Sequence, residues 1–143
     1  MSSLTLQHDN RADLLRALSG DVWIVACLCA AWCDVCSQYR PAFDTLAARH
    51  PDKRFVWIDV EDEADIVGDF DIDDFPTLLI QRADTVAFFG SVLPDAGQAH
   101  RLLQALQSRT GDELQAESES SAPRRAWQAG CNLRARLAEV VGG

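Results

Sequence analysis

The chain has 143 residues, a formal charge of −9 and 48% apolar residues. That length suits one domain with a self-sufficient core, the apolar share excludes a disordered chain, and no apolar run is long enough to cross a bilayer. The negative charge argues against nucleic acid or an anionic membrane as partner.

In chain order, the first segment, Met1–Asp9, lacks the basic stretch and apolar core of a secretory leader, so a cytoplasmic location is expected. In a reducing compartment five cysteines point to catalysis, metal binding or free thiols rather than structural bridges. Residues 11–18 place Ala12, Leu14, Leu15 and Leu18 at helical spacing, behind Asp9 or Asn10 as a cap. Residues 22–28 are almost continuously apolar, the pattern of a strand buried on both faces of a parallel sheet. A helix is expected over 34–49, kinked at Pro41, where the ring removes a backbone hydrogen bond. A second buried strand covers 55–60, and a short helix covers 64–70. Pro76 opens a strand over 77–81, which turns back into an antiparallel strand over 86–89. An amphipathic helix over 95–107 follows, with Ala99, Leu102, Leu103 and Leu106 on one face. Residues 111–121 are polar and Glu/Ser-rich and read as a linker; residues 124–141 read as a frayed tail or a docking helix, weakened at Gly130. The division is therefore a domain over 1–110 and a C-terminal extension over 111–143.

The chemistry concentrates in Ala31-Trp32-Cys33-Asp34-Val35-Cys36, at the strand-to-helix junction. Two thiols three residues apart at a helix start can close a disulfide, and the helix's unpaired N–H groups and dipole favour a thiolate at the first. Cys27 and Cys29 share a face of the preceding strand, so four thiols fall within ten residues. Four thiolates also suit zinc or an iron–sulfur cluster, but two of these sit in a buried strand with no loop to wrap an ion, so no metal is expected. His8, His50 and His100 are too scattered to read as ligands, and Cys131 belongs to no motif.

Trp32-Cys33-x-x-Cys36 at that junction, Pro41 five residues later, and Phe75-Pro76-Thr77 together resemble the thioredoxin family over residues 4–108. The resemblance implies an α/β thioredoxin fold, a central mixed β-sheet flanked by helices on both faces. It implies thiol–disulfide exchange on protein disulfides, with Cys33 attacking and Cys36 resolving, and no cofactor beyond a redox-active Cys33–Cys36 pair. Pro76 matches the family's cis-proline, the backbone beside Phe75 would pair with an extended substrate, and Trp32 would shield the dithiol. Recycling implies an upstream reductase such as thioredoxin reductase, and the protein is expected to act as a monomer in electron transport and redox homeostasis.

The chain departs from the family pattern in two places. Asp34-Val35 replaces the usual Gly-Pro between the cysteines, and the charge of Asp34 opposes the helix dipole at Cys33, which suits a reductant rather than a strong oxidant. Cys27 and Trp57 stand where the family has a buried Asp and a neighbouring Lys, removing one route for deprotonating Cys36, so exchange is expected to be slow. Cys27 reads as a small packing residue or as an exchange partner for Cys36. Between Glu61 and Asp74 stand eight acidic residues and no basic one. They form a solvated face, or Asp34, Asp71, Asp73 and Asp74 ring the dithiol and favour basic substrates. The alternative to an enzyme is a binding or assembly module that keeps the fold and holds a client in the cis-proline groove.

Overall fold

The structure, a computed structural model, describes residues 3–142. The elements are β1 (Leu4–Thr5), α1 (Arg11–Ala17), β2 (Trp23–Cys29), α2 (Asp34–Arg49), β3 (Arg54–Asp59), α3 (Ala64–Val67), β4 (Thr77–Arg82), β5 (Thr85–Ser91), α4 (Ala96–Gln107), α5 (Gly111–Ser118), α6 (Ala122–Gly130) and α7 (Leu133–Gly142). The strands form one sheet in the order β1-β3-β2-β4-β5. The first three run parallel, β4 runs antiparallel to β2, and β5 antiparallel to β4. This is the mixed sheet, covered on both faces, that the sequence led us to expect.

The apolar run of β2 makes it the central strand. Its side chains alternate with period two, so Ile24, Ala26 and Leu28 enter one core while Val25, Cys27 and Cys29 enter the other. The first core packs against Leu14 and Leu18, Ile66 and Val67, and Leu133 and Leu137. The second packs against Tyr39, Phe43 and Leu46 of α2 and Ala99, Leu103 and Leu106 of α4. All the sulfur of β2 falls in the second core, and α2 carries its own Cys36 onto the same face.

β1 was not expected. Two residues carry no periodicity to read, and the strand exists through its partner, with Leu4 opposite Val56 and Thr5 opposite Trp57. The Leu6 N–H extends the ladder to the Trp57 carbonyl at 3.0 Å.

The extension departs furthest from expectation. Residues 111–118, expected as linker, form α5, because Thr110 and Glu113 close a reciprocal capping box that satisfies two first-turn donors. Residues 124–141, expected as a frayed tail or a docking helix, lie in two helices, since the chain breaks at Cys131–Asn132 and restarts with Asn132 Oδ1 accepting from the Ala135 N–H at 3.1 Å. Both helices dock on the domain. Leu133 and Leu137 are fully buried, and Leu114 nearly so. Gln128 reads the outer edge of β5 with its amide, accepting from the Val86 N–H and donating to its carbonyl, each at 2.8 Å. An edge strand left with open ladder groups invites pairing with other chains, and α6 covers this one. Gln81, fully buried in β4, accepts from the Leu133 N–H at 2.9 Å and donates to Asn132 Oδ1 at 3.0 Å. A buried amide inside the sheet is thus satisfied by the start of α7. Arg134 adds a pair to Asp84 at 2.7 Å and a hydrogen bond to the Gly20 carbonyl, also at 2.7 Å.

Candidate redox site

Cys33 is the N-cap of α2, a helix of 16 residues, and no side chain caps the first-turn N–H groups behind it. The positive end of the helix dipole lies at this N-cap position. The preceding loop is tied down from both sides. The Cys33 N–H bonds the Ala30 carbonyl at 3.1 Å, and the Ala31 N–H bonds Asp59 Oδ2 at 2.9 Å. Asp59 Oδ1 also accepts from the N–H groups of Glu61 and Asp62, so one carboxylate at the end of β3 fixes two loops at the sheet's end.

Of the five cysteines, Cys27, Cys29, Cys36 and Cys131 are buried, and Cys33 alone is partly exposed. The disulfide present is not the expected Cys33–Cys36 bond. Cys36 is joined to Cys29, with Cα atoms 5.8 Å apart, and Cys33 is a free thiol. The reason is directional. Cys29 ends β2 on the side facing α2, and Cys36, one turn into that helix, points inward at it, whereas the N-cap position of Cys33 faces outward. Cys27 lies one pleat below, its sulfur 3.8 Å from that of Cys29. Burial pushes the Cys27 thiol well above the ordinary thiol range, with Arg40 opposing weakly.

Trp57 sits opposite Cys27 in the β2–β3 register. The Arg40 guanidinium lies 4.7 Å from its ring centroid, a cation–π contact, and donates to Thr5 Oγ1 at 2.9 Å. Together Cys36, Ser37, Arg40, Trp57 and Asp59 line a cleft of about 340 Å³ that opens beside the buried cysteine. Arg40 and Asp59 were not singled out in the sequence. Asp59 reaches this cleft because β3 lies next to β2, and Arg40 because its guanidinium lies over the Trp57 ring of β3, neither of which a local pattern announces.

Trp32 is 69% exposed and meets Phe75 edge-on, with ring centroids 5.8 Å apart. It forms an exposed aromatic pair with Phe75. Val35 is also exposed. The Phe75–Pro76 peptide bond is cis. The Phe75 N–H is held by Asp74 Oδ1 at 2.8 Å, and the Asp74 carbonyl accepts from Thr77 Oγ1 at 2.6 Å. An incoming strand would therefore have to displace the Asp74 carboxylate to use that N–H.

The acidic run divides. Glu63 is fully buried, pairing with His8 at 3.2 Å and with Arg11 at 3.4 Å, and Asp65 pairs with Arg11 at 2.7 Å. These acids anchor α1 to α3. Asp69, Asp71 and Asp73 line a cleft of about 420 Å³ together with Trp127 and Cys131. Of the four acids expected around the dithiol, Asp34 lies in the first turn of α2 and Asp74 precedes Phe75, while Asp71 and Asp73 line that cleft beside α6. Burial, with a smaller contribution from Asp71, pushes the Cys131 thiol up to about 11. No described helix is long and apolar enough to cross a membrane.

Comparison with known proteins agrees with this geometry. The Thioredoxin family's sequence model matches residues 4–105. A thioredoxin of Ophiophagus hannah is 36% identical over 67 residues, covering 47% of this chain and 62% of its own. A thioredoxin of Mus musculus is 31% identical over 61 residues, covering 43% of this chain and 58% of its own. The chain thus spans about 60% of the length of these curated relatives. Among solved structures, thioredoxin NaTrxh of Nicotiana alata superposes with TM-score 0.63 at 22% identity, covering 73% of this chain and 94% of its own. The thioredoxin of Trypanosoma brucei brucei does so with TM-score 0.63 at 19% identity, covering 76% and 93%. With the match spanning every strand of the sheet and the whole cysteine-bearing junction, the chain belongs to the thioredoxin family.

Proposed function

We propose that this protein is a thiol–disulfide oxidoreductase that reduces protein disulfides, with Cys33 as the attacking thiol and Cys36 as the resolving one. The observation that carries this reading is the exposure pattern. Cys33 is the one cysteine open to solvent, at an uncapped helix N-terminus, and Cys36 is buried one turn behind it. An external disulfide can meet Cys33 and no other thiol.

Attack of the Cys33 thiolate on a substrate disulfide forms the Cys33–substrate bond and expels one substrate thiolate. Attack of Cys36 on Cys33 then expels the second and leaves both electrons with the substrate. The aromatic pair Trp32–Phe75 gives the substrate an apolar contact beside the sulfur, and Asp34 and Asp74 leave the rim acidic. Substrates are therefore basic or neutral polypeptides, and regeneration falls to an upstream dithiol reductase.

Insulin-disulfide reduction tests the reading. Cys33→Ser is expected to reduce turnover to the uncatalysed level, and Cys36→Ser to arrest the protein as a mixed disulfide on Cys33. Turnover unchanged in Cys33→Ser would overturn the proposal, and client capture surviving both substitutions would favour a binding module. In a second assay, a basic disulfide peptide is expected to be reduced faster than a matched acidic one at low ionic strength, with the gap closing as salt is added. Equal rates at low salt would remove the charge preference.

A further inference from the structure

We propose that Cys29 is a third redox cysteine, which takes the oxidised Cys36 sulfur away from Cys33 and stores the disulfide inside the core. This rests on the exchange reading above and extends it by one step. Cys29 and Cys36 are the bonded pair in the structure, while Cys33 stands free at the surface. Their Cα separation of 5.8 Å lies in the middle of the range that a disulfide spans. Both are almost completely buried, with relative exposures of 1% and 2%.

Once a substrate has been reduced, the protein holds a Cys33–Cys36 bond. The Cys29 thiol attacks the Cys36 sulfur and gives up its proton. The Cys29–Cys36 bond forms, the Cys33–Cys36 bond breaks, and the electron pair leaves on Cys33, which takes up the proton that Cys29 gave up. No electrons enter or leave, since the step is an isomerisation of one disulfide and needs no co-reactant. Two consequences follow. Cys33 is returned to its thiol form before any reductase arrives. The stored bond lies out of reach of external thiols, and reduction must begin with Cys33 attacking Cys36 in the reverse step. Cys33 is thus both the nucleophile toward substrates and the gate through which the buried disulfide is emptied.

Disulfide mapping decides the point. The reduced full-length protein is treated with one equivalent of diamide, quenched with N-ethylmaleimide in acidic denaturant, and cleaved with endoproteinase Asp-N, which cuts before Asp34 and so separates Cys33 from Cys36. Cys27, Cys29 and Cys33 all fall in peptide 21–33, so fragmentation of its conjugate with peptide 34–43 locates the bond; the expected product carries it at Cys29, with maleimide on Cys27 and Cys33. A bond at Cys33, with maleimide on Cys29, would overturn the relay. Insulin turnover is measured on the same preparation. Turnover with the bond at Cys33 leaves the oxidoreductase reading standing and sinks the relay, whereas a Cys29 bond without turnover sinks that reading and keeps the isomerisation. As a kinetic readout, oxidised Cys29→Ala is expected to lose native-state alkylation of Cys33, since the bond can no longer move inward. In oxidised Cys33→Ser, glutathione should open the disulfide about tenfold or more slowly than in the parent, because access rather than thiol chemistry limits it. Equal rates in those two proteins would remove the gating role.

Discussion

The two faces of the sheet bury cysteine in different company. On the α2 face, Cys27, Cys29 and Cys36 lie within one patch of core beneath an exposed fourth thiol. On the opposite face Cys131 is buried among Leu133, Phe89 and their neighbours, with no other cysteine in that core. The first arrangement lets sulfur reach sulfur, and the second makes a thiol a packing group. On the relay proposed above, burial alone does not make a cysteine inert; a second sulfur within bonding reach and a solvent-facing thiol beside the pair would keep it in exchange.

The faces also differ in how they are closed, and three measurements sharpen or break that difference. The largest effect is expected on the face covered by the extension. Leu133→Ala removes a fully buried side chain where α7 meets the sheet, and should cost about 2–5 kcal/mol in urea unfolding. Cys33 alkylation in the folded protein should hardly change, and a large change would mean that the two faces are coupled. Next is Gln81→Leu, which leaves the Leu133 N–H buried without its acceptor and should cost about 1–3 kcal/mol. A neutral result would mean that water or a shifted α7 satisfies the group.

The smallest effect lies at the far rim of the sulfur face, where His50 and His100 approach to 3.2 Å. Burial first, then the charges of Lys53 and His100, hold the His50 imidazole below its ordinary value of about 6.5, with Arg49 adding to this and Asp52 opposing. The unfolded chain therefore binds the proton more readily. Stability contributed here is full above that ordinary value and falls as the pH drops through it toward the folded value. His50→Gln should flatten that part of a stability-against-pH curve, and an unchanged slope would assign the titration elsewhere.

Much of the domain was legible in the sequence because its signals are local. The run through β2, the helical spacing in α2 and α4, and the turn between β4 and β5 each specify an element within a few residues. The cysteine motif was legible for the same reason, since it lies in six consecutive positions at a junction both of whose flanks announce themselves. The extension was not. Residues 111–118 are polar enough to read as linker, and what makes them a helix is a capping box together with Leu114 turned onto the domain. Gln81 looked like an ordinary strand residue, and its partners lie about fifty positions away.

By itself the sequence determined the family, the strand and helix that bracket the thiols, and the alternation that puts Cys27 and Cys29 on one face. These follow from side-chain periodicity and backbone chemistry within short windows. Which sulfur meets which was decided by tertiary structure alone. Spacing along the chain favours Cys33 with Cys36, but the crossing of α2 over β2 brings Cys36 against Cys29 and leaves Cys33 facing water. A bond between sulfur atoms depends on where the side chains point in the assembled core, and that direction is set by how one element lies across another.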